Sequence, residues 1–232
     1  MSSLETVLEQ REALENSLAS SIVKSLCRDI AEKGSASLLV SGGKTPSGLF
    51  KVLSETALDW SKVTISLVDE RLVSDDNPDQ NGNMVKSNLL INQAKNADFI
   101  PLVYDSKNRE RNLLLSKVAV AKIPKPFTVV VLGMGSDGHT ASLFPDSPEL
   151  EEGMDLKNEN DLVNSTTLIA PYSRITFTRR ALLSSKKLIL HCYGESKKQV
   201  LLKAKTEKDS IKYPISGFFD QKEVQMEVYW KK

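Results

Sequence analysis

Phe127-Thr-Val-Val-Val-Leu132-Gly-Met-Gly-Ser-Asp-Gly-His139-Thr-Ala-Ser-Leu-Phe-Pro145 is the stretch on which the fold turns. Its first six residues form a short apolar run rich in β-branched side chains, which reads as a buried strand. Gly133, Gly135 and Gly138 then let the backbone turn sharply and approach a ligand closely. At the apex stands His139, one of only two histidines in the chain. The expected setting is a strand end followed by a helix start, where an imidazole is well placed for acid–base work.

The same alternation continues on both sides of this stretch. Leu4, Val7, Leu8, Leu14, Leu18, Ile22, Leu26 and Ile30 recur at three-to-four spacing and predict one long amphipathic helix ending before Gly34. Residues 37–40 predict a strand that runs into Ser41-Gly-Gly-Lys-Thr-Pro46, and Leu49, Phe50 and Leu53 give the helix after Pro46 an apolar face. Residues 63–68 predict a strand ending in Asp69-Glu-Arg71. Residues 74–82 form a polar segment with turn signals at Asn77-Pro78 and Asn81-Gly82. A helix carrying Met84, Leu89, Leu90 and Ile91, a short strand at 100–103 and a helix at 108–122 follow. Beyond the histidine turn, 148–160 reads as an acidic surface loop, 166–170, 174–178 and 187–192 as strands, 195–205 as a helix, and 224–230 as a closing strand. The expected fold is α/β and Rossmann-like, a mainly parallel sheet flanked by helices, with residues 1–232 as a single domain.

Composition narrows the function. Of 232 residues, 40% are hydrophobic and 26% charged, ordinary for a globular protein. The net charge of +1 supplies no global field to recruit nucleic acid or an anionic membrane, so any anion site must be local. Cys27 and Cys192 have neither disulfide-framework nor metal-ligand spacing. Reduced thiols, an acidic N-terminal segment unlike a secretory or transit signal, and no apolar run near the ~18 residues of a membrane span together predict a cytoplasmic protein.

Two motif matches fail on inspection. Gly133, Gly135 and Gly138 spell GxGxxG after a strand, but a dinucleotide site needs an acidic residue at the next strand end, and here Glu151 and Glu152 fall in the acidic segment. Gly43-Lys-Thr45 resembles the end of a phosphate-binding P-loop, but the required earlier glycine is Leu38. What remains at 41–46 is a strand, two glycines, a hydroxyl residue and a helix, a turn able to offer N–H groups to an anion. Arg71, Arg174 and Lys197 are candidate cations near element ends, each singly readable as a surface residue. His191, inside an apolar run, reads as a core or sheet-face histidine. Two histidines without HxxxH or HxH spacing argue against a protein-built metal site.

Taken together, Ser41-Gly-Gly-Lys-Thr-Pro46, Asp69-Glu-Arg71, the Asp137-Gly-His139-Thr-Ala-Ser-Leu-Phe-Pro145 block and Arg174-Ile-Thr176 resemble, in that order, the 6-phosphogluconolactonases. The resemblance spans nearly the whole chain and implies the fold shared with glucosamine-6-phosphate deaminase and ribose-5-phosphate isomerase. It implies hydrolysis of 6-phosphogluconolactone without metal or organic cofactor. The partner is then a small phosphosugar lactone, with no nucleic acid or membrane, and the chain a monomer or small homo-oligomer. The deaminases carry an Asn-Glu-Pro where this chain has Leu143-Phe-Pro145, and an Asp-Glu-Tyr where it has Asp69-Glu-Arg71. Lys44 stands where many lactonases have Ser, and either adds a cation beside the phosphate or points to solvent.

On this resemblance His139 is the expected general base and Asp137 its orienting carboxylate. Ser41, Gly42, Gly43, Thr45, Asp69, Arg71, Arg174 and Lys197 are the expected substrate-binding residues. Competing readings are a sugar-phosphate deaminase or isomerase, a sugar-phosphate binding protein without activity and, weakest, a nicotinamide dehydrogenase.

Overall fold

The computed structural model describes residues 4–7, 10–219 and 221–231. Among the described residues ten strands are formed: β1 (Leu4–Val7), β2 (Ala36–Val40), β3 (Val63–Leu67), β4 (Asp69–Arg71), β5 (Asp98–Ile100), β6 (Val129–Leu132), β7 (Leu162–Ser165), β8 (Arg174–Phe177), β9 (Leu188–Tyr193) and β10 (Met226–Lys231). The longer helices are α1 (Arg11–Lys33), α2 (Ser47–Glu55), α3 (Asn81–Asn88), α4 (Arg109–Val120), α5 (Leu150–Met154), α6 (Arg179–Leu183) and α7 (Glu195–Glu207).

Seven strands form a parallel sheet in the order β1-β10-β9-β6-β2-β3-β5. Its central strands are apolar at nearly every position, as a sheet covered on both faces requires; Leu38, Leu39, Ile65, Val130, Ile189 and Leu190 are fully buried. From β2 the chain first builds outward through β3 and β5. It then returns to the other side of β2 to lay down β6, β9 and β10. The loops after β2 and β6 therefore part in opposite directions, and the crevice between such strand ends is where open α/β sheets bind ligands.

A second sheet, β4-β8-β7, is antiparallel. The apolar-to-charged run 63–71, expected as one strand, is divided between the two sheets. Val68 is the joint: its N–H donates to Val40 O in the large sheet, and its carbonyl accepts from Phe177 N in the small one. Asp69, Glu70 and Arg71 are thus a strand with partners of its own rather than a solvated strand end.

Other expectations shift for physical reasons. Leu4 to Val7 form an edge strand on β10 instead of the first turns of α1, and α1 begins at Arg11; Leu8 lies outside the described residues. The segment 148–160 is not merely a loop, because α5 buries Leu150, Gly153 and Met154. The strand expected at 166–170 is instead β7, which ends at Ser165 because its partner β8 begins at Arg174. Leu168 beyond it is 97% exposed. The strand expected at 100–103 lies at Asp98–Ile100. Asn81-Gly82, read as a turn, opens α3, and Leu89 to Ile91 fall beyond that helix. No helix follows the histidine turn directly: residues 133–149 are irregular, and α5 comes next.

One buried charge ties a helix to the sheet. Asp29 of α1, 1% exposed, accepts from Thr128 Oγ1 at 2.9 Å and from Lys186 Nζ at 2.6 Å. Thr128 Oγ1 in turn accepts from Ser37 N at 3.0 Å. Burial alone would raise the Asp29 carboxyl, but the bonds from Lys186 and Thr128 outweigh it and hold the group below its usual range. Asp29→Ala should lower unfolding stability by about 1–3 kcal/mol at neutral pH, the typical penalty for stranding buried partners. A lowered folded-state value stabilises only while the carboxyl is ionised. The wild-type advantage in denaturant titrations should therefore be complete above the unfolded value of ~3.9, and fade as pH falls through the folded one.

Candidate active site

Ser41 joins the two strand ends that frame the site. Its N–H and Oγ both donate to Val131 O, at 3.0 and 3.1 Å, while its Oγ accepts from Gly133 N at 2.9 Å. Beyond it, Gly42 packs against the side chain of Asn81: an added Cβ would lie 2.0 Å from Asn81 Oδ1. Asn81 Nδ2 donates to Asp69 O at 3.2 Å, so Asn81 ties the glycine loop to β4, the strand that carries Arg71.

The histidine turn is held from within. Gly135 N donates to His139 O at 2.8 Å, Thr140 Oγ1 to Gly133 O at 2.8 Å, and Ile215 N to Gly138 O at 3.0 Å. Gly138 has φ +84°, a conformation natural to glycine. Within the turn His139 Nδ1 lies 2.6 Å from Asp137 Oδ1, which also accepts from His139 N at 3.2 Å. Burial pulls the Asp137 carboxyl upward, but the contacts with His139 prevail and keep it below its ordinary range. An ionised Asp137 accepts, so Nδ1 carries the proton and Nε2 is the free base.

The small sheet supplies the cations. In the β4–β8 register Arg71 stands directly opposite Arg174. Like charges so placed repel, and among the described residues neither guanidinium makes an ion pair within 4.0 Å. Arg71 donates to Asp79 O and Arg174 Nη2 to Pro171 O at 3.3 Å, while both Nε atoms are buried without a partner. Burial pulls Arg174 below the usual guanidinium value, with Asp69 opposing that shift and Arg71 adding to it. Asp69 is itself held by Ser142 Oγ at 2.5 Å. Beneath the pair, Glu70 accepts backbone N–H bonds from Arg71, Asn81 and Gly82 at 2.7, 2.8 and 2.7 Å and closes the base of the 72–80 loop. Burial pushes its carboxyl up to about 7 against those three bonds.

Phe144 packs near both groups. Its ring centroid is 4.1 Å from that of His139 and 5.1 Å from the Arg174 guanidinium. Lys197, in the first turn of α7, donates to Met134 O and so stands with the histidine loop rather than with the arginines. Burial lowers its pKa, opposed by Cys192 and Asp137.

These groups share one cavity of about 250 Å³. Ser41, Gly42, Gly43, Thr45, Asp69, Arg71, His139, Arg174 and Lys197 all line it, and Asp137 lies behind His139. Lys44 is exposed and outside the lining. The sequence reading missed Asn81, taken only as a turn signal, and the cavity-lining position of His191. A polar residue near the C-terminal end of an otherwise apolar central strand was the available sign of the latter. Among the described residues no group of three His, Cys, Asp or Glu side chains is arranged to hold a metal ion, and no helix is long and apolar enough to cross a membrane.

Fold and site together define an α/β protein with a hydrogen-bonded Asp–His pair and two opposed arginines around one cavity at the switch point of a parallel sheet. The model of the glucosamine-6-phosphate isomerases/6-phosphogluconolactonase family matches residues 9–230, and the chain belongs to that family. The 6-phosphogluconolactonase of Rhizobium meliloti (strain 1021) is 39% identical over 224 residues, 97% of each chain. That of Pseudomonas aeruginosa is 38% identical over 201 residues, 87% of this chain and 84% of the other. The crystal structure of a 6-phosphogluconolactonase from Shewanella baltica superposes with a TM-score of 0.96 at 38% identity, covering 99% of this chain and 98% of that one.

Gly135 gives a direct test of the dyad. An added Cβ would fall 2.2 Å from His139 Nδ1 and 2.3 Å from Asp137 Oδ1. Gly135→Ala should therefore separate the pair and reduce turnover nearly as far as loss of the imidazole itself, with the circular dichroism spectrum retained.

Proposed function

We propose that this protein hydrolyses 6-phospho-D-glucono-1,5-lactone to 6-phospho-D-gluconate, in the oxidative pentose phosphate pathway. The observation that carries the reading is a single cavity with an Asp137–His139 pair on one side and the opposed Arg71 and Arg174 on the other. Relatives of that activity matching nearly the whole chain support it. The proposed setting is the cytoplasm, with the chain acting as a monomer or small homo-oligomer on a free metabolite.

In this reading the phosphate sits between Arg71 and Arg174, whose unpartnered Nε atoms supply donors, next to the N–H groups of Gly42 and Gly43. Binding energy from that remote group places the lactone carbonyl against His139. His139 Nε2 takes a proton from water as the water oxygen adds to the carbonyl carbon. Asp137 stabilises the imidazolium through Nδ1. When the ring C–O bond breaks, the same proton passes to the departing ring oxygen, leaving a hydroxy acid and a neutral imidazole. Lys197, on the histidine side, faces the negative charge that develops on the carbonyl oxygen.

The test follows freshly generated 6-phosphogluconolactone with and without protein, in chelator, against its spontaneous hydrolysis. Acceleration is expected, and a folded protein that leaves the blank rate unchanged would overturn the reading. His139→Ala should lower turnover by about 10²–10⁴-fold, the usual contribution of a general base. Arg71→Ala should raise KM for the phosphorylated lactone while leaving hydrolysis of unphosphorylated gluconolactone little changed. Equal loss on both substrates would remove the phosphate seat from Arg71.

A further inference from the structure

His191 lies on β9 with its side chain only 2% exposed, yet it lines the cavity. Its Nε2 is 2.9 Å from Tyr193 Oη, and its Nδ1 is buried with no hydrogen-bond partner among the described residues. A buried polar atom without a partner is costly and calls for an explanation.

The neighbouring hydrogen bonds decide what Nδ1 can do. Tyr193 Oη donates to Glu15 Oε1 at 3.0 Å, and Glu15 is held by Arg11 Nε at 2.8 Å. The Glu15 carboxylate also packs against the first turn of α2, where a Cβ on Gly48 would lie 2.1 Å from it. Glu15 Oε1 thus accepts from both the Arg11 guanidinium and the Tyr193 phenol. The phenol keeps its proton, since burial and Glu15 push its pKa well above the ordinary value. Having one proton and giving it to Glu15, Tyr193 must accept from His191. That places the imidazole proton on Nε2. Burial, and secondarily Arg11, pushes His191 down to about 4, so the ring stays neutral near physiological pH. Nδ1 is therefore a bare lone pair, an acceptor fixed in tautomer by the Arg11–Glu15–Tyr193 chain.

From this chain and from the position of His191 at the cavity wall, we infer that His191 is a substrate-positioning residue whose Nδ1 accepts a hydrogen bond from a hydroxyl group of the bound sugar. An acceptor does not suit a carbonyl oxygen, which has no proton to give, nor a phosphate ester, which near neutral pH is mainly the dianion. Of the groups on the substrate class proposed above, on which this inference rests, only the ring hydroxyls can donate. The residue thus selects a polyhydroxylated ligand, while the arginines select its phosphate.

The experiment is ¹⁵N-histidine NMR on the wild-type protein, titrated separately with 6-phosphogluconate and with inorganic phosphate. The free protein should show His191 with protonated Nε2 and unprotonated Nδ1. 6-Phosphogluconate should shift Nδ1 upfield as it accepts a hydrogen bond, and phosphate alone should not. In kinetics on the lactone, His191→Phe should raise KM about tenfold, the scale of one lost hydrogen bond, with kcat changed less than about twofold. His191→Asn, which keeps an acceptor near the Nδ1 position, should recover most of that loss. A Nδ1 resonance unmoved while other site signals report 6-phosphogluconate binding overturns the inference and leaves the lactonase reading standing. So does a folded His191→Phe variant with wild-type KM. No binding of 6-phosphogluconate together with no lactone hydrolysis overturns both.

Discussion

The end of β2 is fastened to the end of β6 through a single serine, and the site depends on that junction. Ser41 donates to Val131 and accepts from Gly133, so the two strands are held together at the level where their loops diverge. The glycine loop then turns one way, toward α2, and the histidine turn the other. A crevice opens between them because the chain reverses its direction of sheet-building there. The parallel sheet contributes rigid strand ends to this arrangement, and its fully buried central strands keep those ends from shifting.

The small antiparallel sheet solves a separate problem. A nearly neutral chain cannot draw in a phosphorylated ligand by its overall field, so positive charge must be concentrated locally. The β4–β8 register does this by setting two arginines face to face, and Glu70 holds the loop behind them. Phe144 packs against both Arg174 and the imidazole of His139. An aromatic ring at that position offers no acid or base, in contrast to the carboxylic acid that the deaminase pattern would place there.

Much of this could be read in the chain, and the limits follow one rule. Central strands such as Val129–Leu132 and Leu188–Tyr193 were legible because continuous burial needs continuous apolar sequence. The Asp137–His139 turn was legible because both side chains and the glycines that shape it are close in sequence. What could not be seen depends on partners far along the chain. Leu4 to Val7 become a strand only because β10, more than 200 residues away, offers an edge. Residues 63–71 look like one element, and the split appears only because the Val68 N–H pairs with Val40 in one sheet while its carbonyl pairs with Phe177 in the other. The pairing of Arg71 with Arg174 is a matter of register across about 100 residues, which no local pattern encodes. His191 was correctly expected to be buried, but which atom of its ring is left unpaired is decided by Tyr193, Glu15 and Arg11 together.

The two opposed arginines also bear on how the molecule stores its stability. Folding brings these cations together and leaves both Nε donors without a protein partner, so the native state carries a like-charge repulsion that the unfolded chain lacks. By mass action, an anion that binds only the folded chain shifts the folding equilibrium in proportion to its concentration. If the proposed phosphate seat holds, phosphate or sulfate in a buffer acts on this protein as a ligand and not only as a salt. Its melting temperature would then depend on the solution's anions as well as on the polypeptide, and values from different buffers would describe different thermodynamic states.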